Sequence, residues 1–269
     1  MPEISYGIDL SGRSRDGCRV ARAERAVDDS IRVELIPSVL CKVLSPQDLL
    51  RSFSEEVATW EPDAKVVVDV PIDLQDLHLP PNRQRIVSYW QLTLRPIDRA
   101  LGALPALADR IGSTVALWRL ISPFMDSDLG LRLFESYPAG SLRAVGLPHK
   151  NYKVLRSGKG KLDAIARMEK AGWVLTAQNN QDHPLPKLLN GLTIRAPEGT
   201  IVTHDDVDAV ICAITGLPGE HVLEGEPLCK WAKSLPGLRQ EEPLELPKGY
   251  RLYKGRPGLR VELVTNKRT

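Results

Sequence analysis

Apolar and polar residues alternate from Glu3 to Leu10. Ile4, Tyr6, Ile8 and Leu10 fall on one face, and Ser5, Gly7 and Asp9 on the other. That period predicts a strand, followed by a polar turn rich in Gly and Arg from Ser11 to Gly17. Cys18 to Val27 and Ile31 to Leu40 read as two further strands joined at Asp28-Asp29-Ser30, so the first three strands form an antiparallel meander. Ser45-Pro46-Gln47-Asp48 is a helix start, with Ser as N-cap, Pro at the first helical position and Asp in the first turn. Leu49, Leu50, Phe53, Val57 and Trp60 give that helix its apolar stripe, and Pro62 ends it. Val66-Val67-Val68-Asp69-Val70 is a continuous β-branched run, the mark of a central strand covered on both faces. Its connection through a single helix predicts a parallel crossover against the first strand.

Further on, Pro71 to Pro81 reads as a loop and Asn82 to Ile111 as mainly helical, with interruptions at Pro96 and Pro105. Thr114 to Ile121 reads as a strand, Leu131 to Tyr137 as a short strand ended by Pro138, and Ala139 to Val145 as a short helix. His149 to Lys161 is a basic, glycine-containing loop, Leu162 to Trp173 a helix, and Asn179 to Pro197 irregular. Thr203-His204-Asp205-Asp206 opens a helix with a capping-box pattern that runs to Gly216. Gly249 to Val264 reads as a hairpin around Lys254-Gly255-Arg256-Pro257-Gly258. There is no internal repeat and no low-complexity segment.

The strands and helices above predict an α/β protein, and the composition is ordinary for a soluble globular one: of 269 residues, 42% are hydrophobic and 26% charged, enough for a real core. Charge is nearly balanced, with 36 Lys and Arg against 34 Asp and Glu, so only local clustering could attract nucleic acid. Cys18, Cys41, Cys212 and Cys229 lack zinc-type spacing and read as free thiols, which suits a reducing cytoplasm. No run approaches the ~20 apolar residues of a membrane span, and no signal peptide is apparent at the N-terminus.

The candidate chemistry lies in acids that are hard to explain as solvated surface. Asp9 ends the first strand, although turn-capping Asp residues are common in such places. Asp69 ends the valine run; if that strand neighbours the first, two carboxylates meet at one sheet edge and need a cation between them. Glu135 in Phe134-Glu135-Ser136-Tyr137-Pro138 lies on a largely apolar face. Asp208 lies within Val207-Asp208-Ala209-Val210-Ile211-Cys212-Ala213-Ile214, a helix apolar almost all round and hence buried. Asp205 shares its face, and so does His204, four residues before Asp208. Asp206 reads as the capping-box acid, and Asp73 and Asp76 as loop acids.

Four strings taken together resemble a large uncharacterised (DUF) family of predicted RNase H-like nucleases in bacteria and archaea, close to the Holliday-junction-resolvase branch. They are Gly7-Ile8-Asp9-Leu10-Ser11-Gly12; Val68-Asp69-Val70-Pro71-Ile72; Glu135-Ser136-Tyr137-Pro138-Ala139 with Leu142-Arg143-Ala144-Val145-Gly146 and Tyr152-Lys153; and His204-Asp205-Asp206-Val207-Asp208-Ala209. Arg95-Pro96-Ile97-Asp98-Arg99-Ala100-Leu101-Gly102 is similar to the family's segment after the second acid. The resemblance implies a three-layer fold with a mixed five-stranded sheet, helices on both faces and an acidic cluster at one sheet edge. It covers a nuclease domain over residues 1–216 and leaves 217–269 as an extension carrying the hairpin, packed on the same domain.

The activity so implied is metal-dependent hydrolysis of phosphodiester bonds in nucleic acid. Two Mg²⁺ or Mn²⁺ ions, about 3.5–4 Å apart, would be bridged by Asp9. Asp69 would share one, Asp205 and Asp208 would hold the other, Glu135 would be a further ligand, and His204 would assist proton transfer or contact substrate. Arg13 and Arg15 on the first turn, and Lys150, Tyr152 and Lys153 on the basic loop, are candidates for holding the nucleic acid, Tyr152 by stacking on a base. Two other readings stay open. A non-catalytic module could use the same fold to bind nucleic acid or protein. An actin- or sugar-kinase-like enzyme would need a second glycine-rich phosphate loop and a Gly-Gly turn, and the chain has no Gly-Gly.

Overall fold

The computed structural model describes residues 3–9, 18–41, 46–72, 95–102, 132–145, 193–195, 204–236, 244–256 and 259–265. The first part of the chain runs through β1 (Glu3–Asp9), β2 (Arg19–Arg25), β3 (Ile31–Leu35), a 3-10 turn at Val39–Cys41, α1 (Pro46–Val57) and β4 (Lys65–Val68). Next come α2 (Pro96–Leu101), β5 (Leu133–Ser136), α3 (Pro138–Ala144), β6 (Thr193–Arg195) and α4 (His204–Gly216). The last part holds β7 (Val222–Glu224), α5 (Gly225–Lys233), β8 (Tyr250–Tyr253) and β9 (Arg260–Thr265).

Among the described residues the strands form one mixed sheet of nine, in the order β6-β9-β3-β2-β1-β4-β5-β8-β7, against the five expected. β1, β2 and β3 are the antiparallel meander, as their short turns require. β4 returns through α1 to pair parallel with β1, and β5 pairs parallel with β4. The period-2 reading of β1 assigns its two faces. Tyr6 and Ile8 join Phe53, Val57, Trp60, Val66 and Val68 in the core under α1, where Tyr6 and Trp60 stack at 4.0 Å. Ser5 and Gly7 face α4 on the other side: Ser5 Oγ donates to the Ala213 carbonyl, 2.5 Å away. The valine strand is therefore covered on both faces, which is why it carries no alternation.

Gly7 is where the two layers come closest. A Cβ placed there would lie 2.1 Å from both the Ala209 oxygen and the Ala213 nitrogen. Backbone rests on backbone, with no room for a side chain. The contact repeats one turn-pair along, where Gly216 sits against Ser5 and Val67.

The expected C-terminal hairpin does not form. β8 pairs parallel with β5 and antiparallel with β7, while β9 pairs parallel with β3 and β6. Five strands separate β8 from β9, yet only residues 254–259 join them. In a flat sheet those strands would stand about 29 Å apart, and the linker spans at most about 25 Å. The sheet must therefore curl, and it curls around α4. Tyr253, Leu259, Val261 and Leu263 pack with Val207, Val210, Ile211 and Ile214 of that helix in one core. Residues 254–259 thus link two distant strands rather than closing a hairpin, a difference that only long-range pairing decides. β6 falls in a stretch read as irregular, since its three residues acquire their ladder only from β9. The expected strand over Thr114–Ile121, the loop over His149–Lys161 and the helix over Leu162–Trp173 lie outside the described residues.

His221, just after α4, is buried under this crossover. Its Nε2 lies 3.1 Å from the Ile214 carbonyl, and Arg25 Nη2 lies 3.4 Å from its Nδ1. A neutral ring suits both neighbours, donating from Nε2 and accepting at Nδ1. Burial, with Arg25 adding to it, lowers its pKa to about 4.

Two outcomes follow from this packing. Gly7→Ala should force α4 off β1 and cost about 3 kcal/mol, read as a drop in the midpoint of thermal unfolding; an unchanged midpoint would refute the close contact. Between about pH 6.5 and pH 4 the unfolded chain binds a proton at His221 that the folded chain refuses, so stability falls with pH in that window, by up to about 3 kcal/mol. Urea unfolding at pH 7 and pH 4.5 should show a smaller difference for His221→Gln than for the parent protein.

Candidate metal centre

β1 and β4 are neighbours in register, Ile8 beside Val68. Asp9 is the last residue of β1 and Asp69 the first residue beyond β4. The Asp69 amide donates to the Ile8 carbonyl at 3.1 Å, which continues the ladder just far enough to set the two acids side by side. The chain leaves β1 toward β2 on one side and β4 lies on the other, so both acids stand at the carboxyl ends of two parallel strands where the strand order reverses. A crevice forms at such a place in open α/β sheets.

The third acid comes from α4. The helix crosses β1 with the Ala209 carbonyl over Gly7, and the residue before it is Asp208. Asp9, Asp69 and Asp208 each place a carboxylate oxygen so that all three lie within 4.8 Å of one another. Asp208 is fully buried, Asp9 is 9% exposed, and Asp69 is partly open to solvent. This is a short range for three like charges, and their repulsion is strongest where water is excluded.

The donor set fits a hard divalent cation. Opposed oxygens around Mg²⁺ or Mn²⁺ stand about 4.2 Å apart, at bond lengths near 2.1 Å. Three oxygens on one such ion include adjacent pairs only about 3.0 Å apart, so 4.8 Å bounds a group that could share an ion rather than matching one. One oxygen from each of three carboxylates leaves further positions for water or a phosphate oxygen.

Glu135 is not brought into this group. Val68 and Glu135 are register partners, so the glutamate points to the α1 side of the sheet, away from α4. There Arg95 grips it with two guanidinium nitrogens, Nη1 donating to Oε2 at 2.8 Å and Nη2 to Oε1. The Ile72 amide donates to Oε2 at 3.2 Å. Asp98 holds the same guanidinium, accepting from Nε at 2.7 Å and Nη2 at 2.8 Å. Burial raises the pKa of Glu135, and Arg95 opposes that rise. Burial disfavours the charge of Arg95 in turn, yet Glu135 and Asp98 hold its pKa above the ordinary value. The phenol of Tyr250, cross-strand from Glu135, is pushed up by burial and then by the two acids. The expectation that Glu135 ligates metal beside Asp9 is therefore corrected: a position in a short strand reads the same from sequence whichever face the register selects.

The helix residues divide similarly. Asp205 is half-buried on the first turn of α4 and is not one of the three converging acids, while His204 opens the helix. Asp206 is more than a cap: it is buried, with Oδ1 3.2 Å from Arg19 Nε. Arg19 in turn is cross-strand from Asp9. Arg13, Arg15, Lys150, Tyr152 and Lys153 lie outside the described residues.

Gly7, Arg19, Arg95, Asp98 and Asp206 carry structural weight that the residue-by-residue reading did not assign. Gly7 alone had a local signal, a glycine inside an alternating strand. Arg19 and Asp206 had none, because each is defined by a partner distant in sequence; Asp98 meets Arg95 three residues away, but Arg95 meets Glu135 only through the fold.

No family model, no curated protein and no solved structure matches the chain. The carboxylates' proximity predicts a behaviour of its own. With metal chelated, Asp69→Asn should raise stability by about 1–3 kcal/mol through relief of repulsion. In excess Mn²⁺ the order should invert, because the parent gains ion binding that the variant lacks. Thermal unfolding with EDTA and with Mn²⁺ checks both, and a variant less stable than the parent under EDTA would contradict it.

Proposed function

We propose that the protein is a divalent-metal-dependent nuclease that hydrolyses phosphodiester bonds in nucleic acid, built on an RNase H-like core. The observation that carries this reading is the convergence of Asp9, Asp69 and Asp208 at the carboxyl ends of β1 and β4. The mixed sheet supports it in part: its first three strands are antiparallel and helices cover both faces, as the resemblance implied, although the described sheet has nine strands rather than five.

Asp9, Asp69 and Asp208 would hold Mg²⁺ or Mn²⁺. Bound there, such an ion would polarise a phosphate oxygen and lower the pKa of a water near it. The chain's own contribution is orientation and exclusion of water. β1 and β4 fix two carboxylates through their ladder, and the Gly7 contact holds the third over them. Buried surroundings on the Asp208 side keep that carboxylate from being screened by water. Asp69, partly exposed, is the most open of the three and would be the one nearest an approaching phosphate.

Purified protein with Mn²⁺ or Mg²⁺ should cleave DNA or RNA, and EDTA should stop it. Asp9→Asn should lower the rate at least about a hundredfold, the upper end of what losing an orienting partner costs a metal site. Cleavage that survives Asp9→Asn would assign the activity to another site or another protein. Chelator-insensitive binding of nucleic acid without cleavage would favour the binding module.

A further inference from the structure

Asp69 differs from its two companions in how it is held. Asp9 ends a strand paired on both sides, and Asp208 lies within a buried helix. Asp69 has already left β4, and the bend from 69 to 72 carries it. Val70 and Ile72 bury their side chains in the core under α1, but the backbone needs its own anchors. The described backbone of this bend is held at two amides. Asp69 donates to Ile8, and Ile72 donates to Glu135 Oε2 at 3.2 Å.

We propose that Glu135 is the positioning residue for Asp69, and that Arg95 and Asp98 exist at this place to hold Glu135 as an acceptor. This rests on the metal-centre reading above. A carboxylate only accepts, and here its oxygens take three donors, two from Arg95 and one from Ile72. Such a group is costly to bury, and Arg95 offsets that cost. Asp98 closes the set from the first turn of α2, binding Arg95 by side chain and accepting from the Arg95 amide at 3.3 Å. Ile72 and Arg95 also flank residues 73–94, so one buried carboxylate ties both ends of that segment to β5. The acid that the residue pattern offered as a ligand thus acts on the ligand beside it, through three backbone links.

Charge and geometry make opposite predictions for this cluster, so it can be tested by sign. Arg95→Lys keeps the charge and loses the two-pronged grip. If Glu135 positions Asp69, this variant should weaken Mn²⁺ binding, measured by calorimetry or by the free-ion electron paramagnetic resonance signal. Arg95→Gln removes a cation from beside an acidic site. Electrostatics alone would tighten Mn²⁺ binding, whereas positioning predicts that it weakens. Glu135→Gln puts an amide among three donors, with one oxygen where two are needed, and should raise the Mn²⁺ dissociation constant about tenfold. Glu135→Asp, a milder change, should shift it the same way by less.

Hydrogen exchange in the metal-free protein provides the readout independent of any ion. The Ile72 amide should exchange faster in Glu135→Gln and Glu135→Asp, while the Val67 amide, inside β4, should not change. Weaker Mn²⁺ binding with unchanged Ile72 exchange would make Glu135 a ligand and overturn the proposal. So would unchanged binding in Arg95→Lys and Glu135→Gln, or tighter binding in Arg95→Gln. If the parent protein binds no Mn²⁺, the metal-centre reading fails, and the exchange measurement alone still decides whether Glu135 holds the bend.

Discussion

The contact of helix α4 on Gly7 is the constraint on which the rest depends. Where the Ala209 carbonyl meets a glycine Cα, helix and strand backbones lie closer than any side chain would allow. That closeness sets the depth at which Asp208 stands relative to Asp9. It also lets the sheet curl around the helix, because α4 occupies little height above β1. The six-residue passage from β8 to β9 is possible only in a sheet so curved. A larger residue at position 7 would thus disturb the acidic group, the central layer contact and the closing strands together.

Burying charge is expensive, and this fold does so in three ways. Arg19 and Asp206 neutralise each other beside the first turn of α4. Arg95 serves two acids, and the amide of Ile72 adds a donor to one of them. At Asp9, Asp69 and Asp208, carboxylates from β1, the end of β4 and α4 converge within 4.8 Å of one another. It is this convergence of three like charges that marks the candidate centre.

Much of the inner fold was legible because its signals are local. The alternation of Ile4, Tyr6 and Ile8 against Ser5, Gly7 and Asp9 assigns each residue to the face it occupies. The uninterrupted valines report burial on both sides, and the apolar surroundings of Asp208 report a buried helix. Asp9, Asp69 and Asp208 stood out as acids where water is scarce, and these three converge. Glu135 stood out on the same grounds and does not converge. Its side of the sheet depends on pairing Val68 with Glu135, and no pattern within Leu131 to Tyr137 encodes that register. Asp206 was the converse case: its place in a capping pattern concealed an ion pair with Arg19, on a strand far back in the chain.

The amino-acid sequence by itself determined which segments become strands and helices near the centre, and which acids would be costly to bury. Those properties arise from side-chain period, branching and polarity within a few residues. Tertiary structure alone decided which acids meet, that the C-terminal turn is a crossover, and that Glu135 faces Arg95. Each of those outcomes depends on register and on sheet curvature. Both are set by pairings between segments far apart in the chain, and a one-residue change of register would move every side chain to the other face.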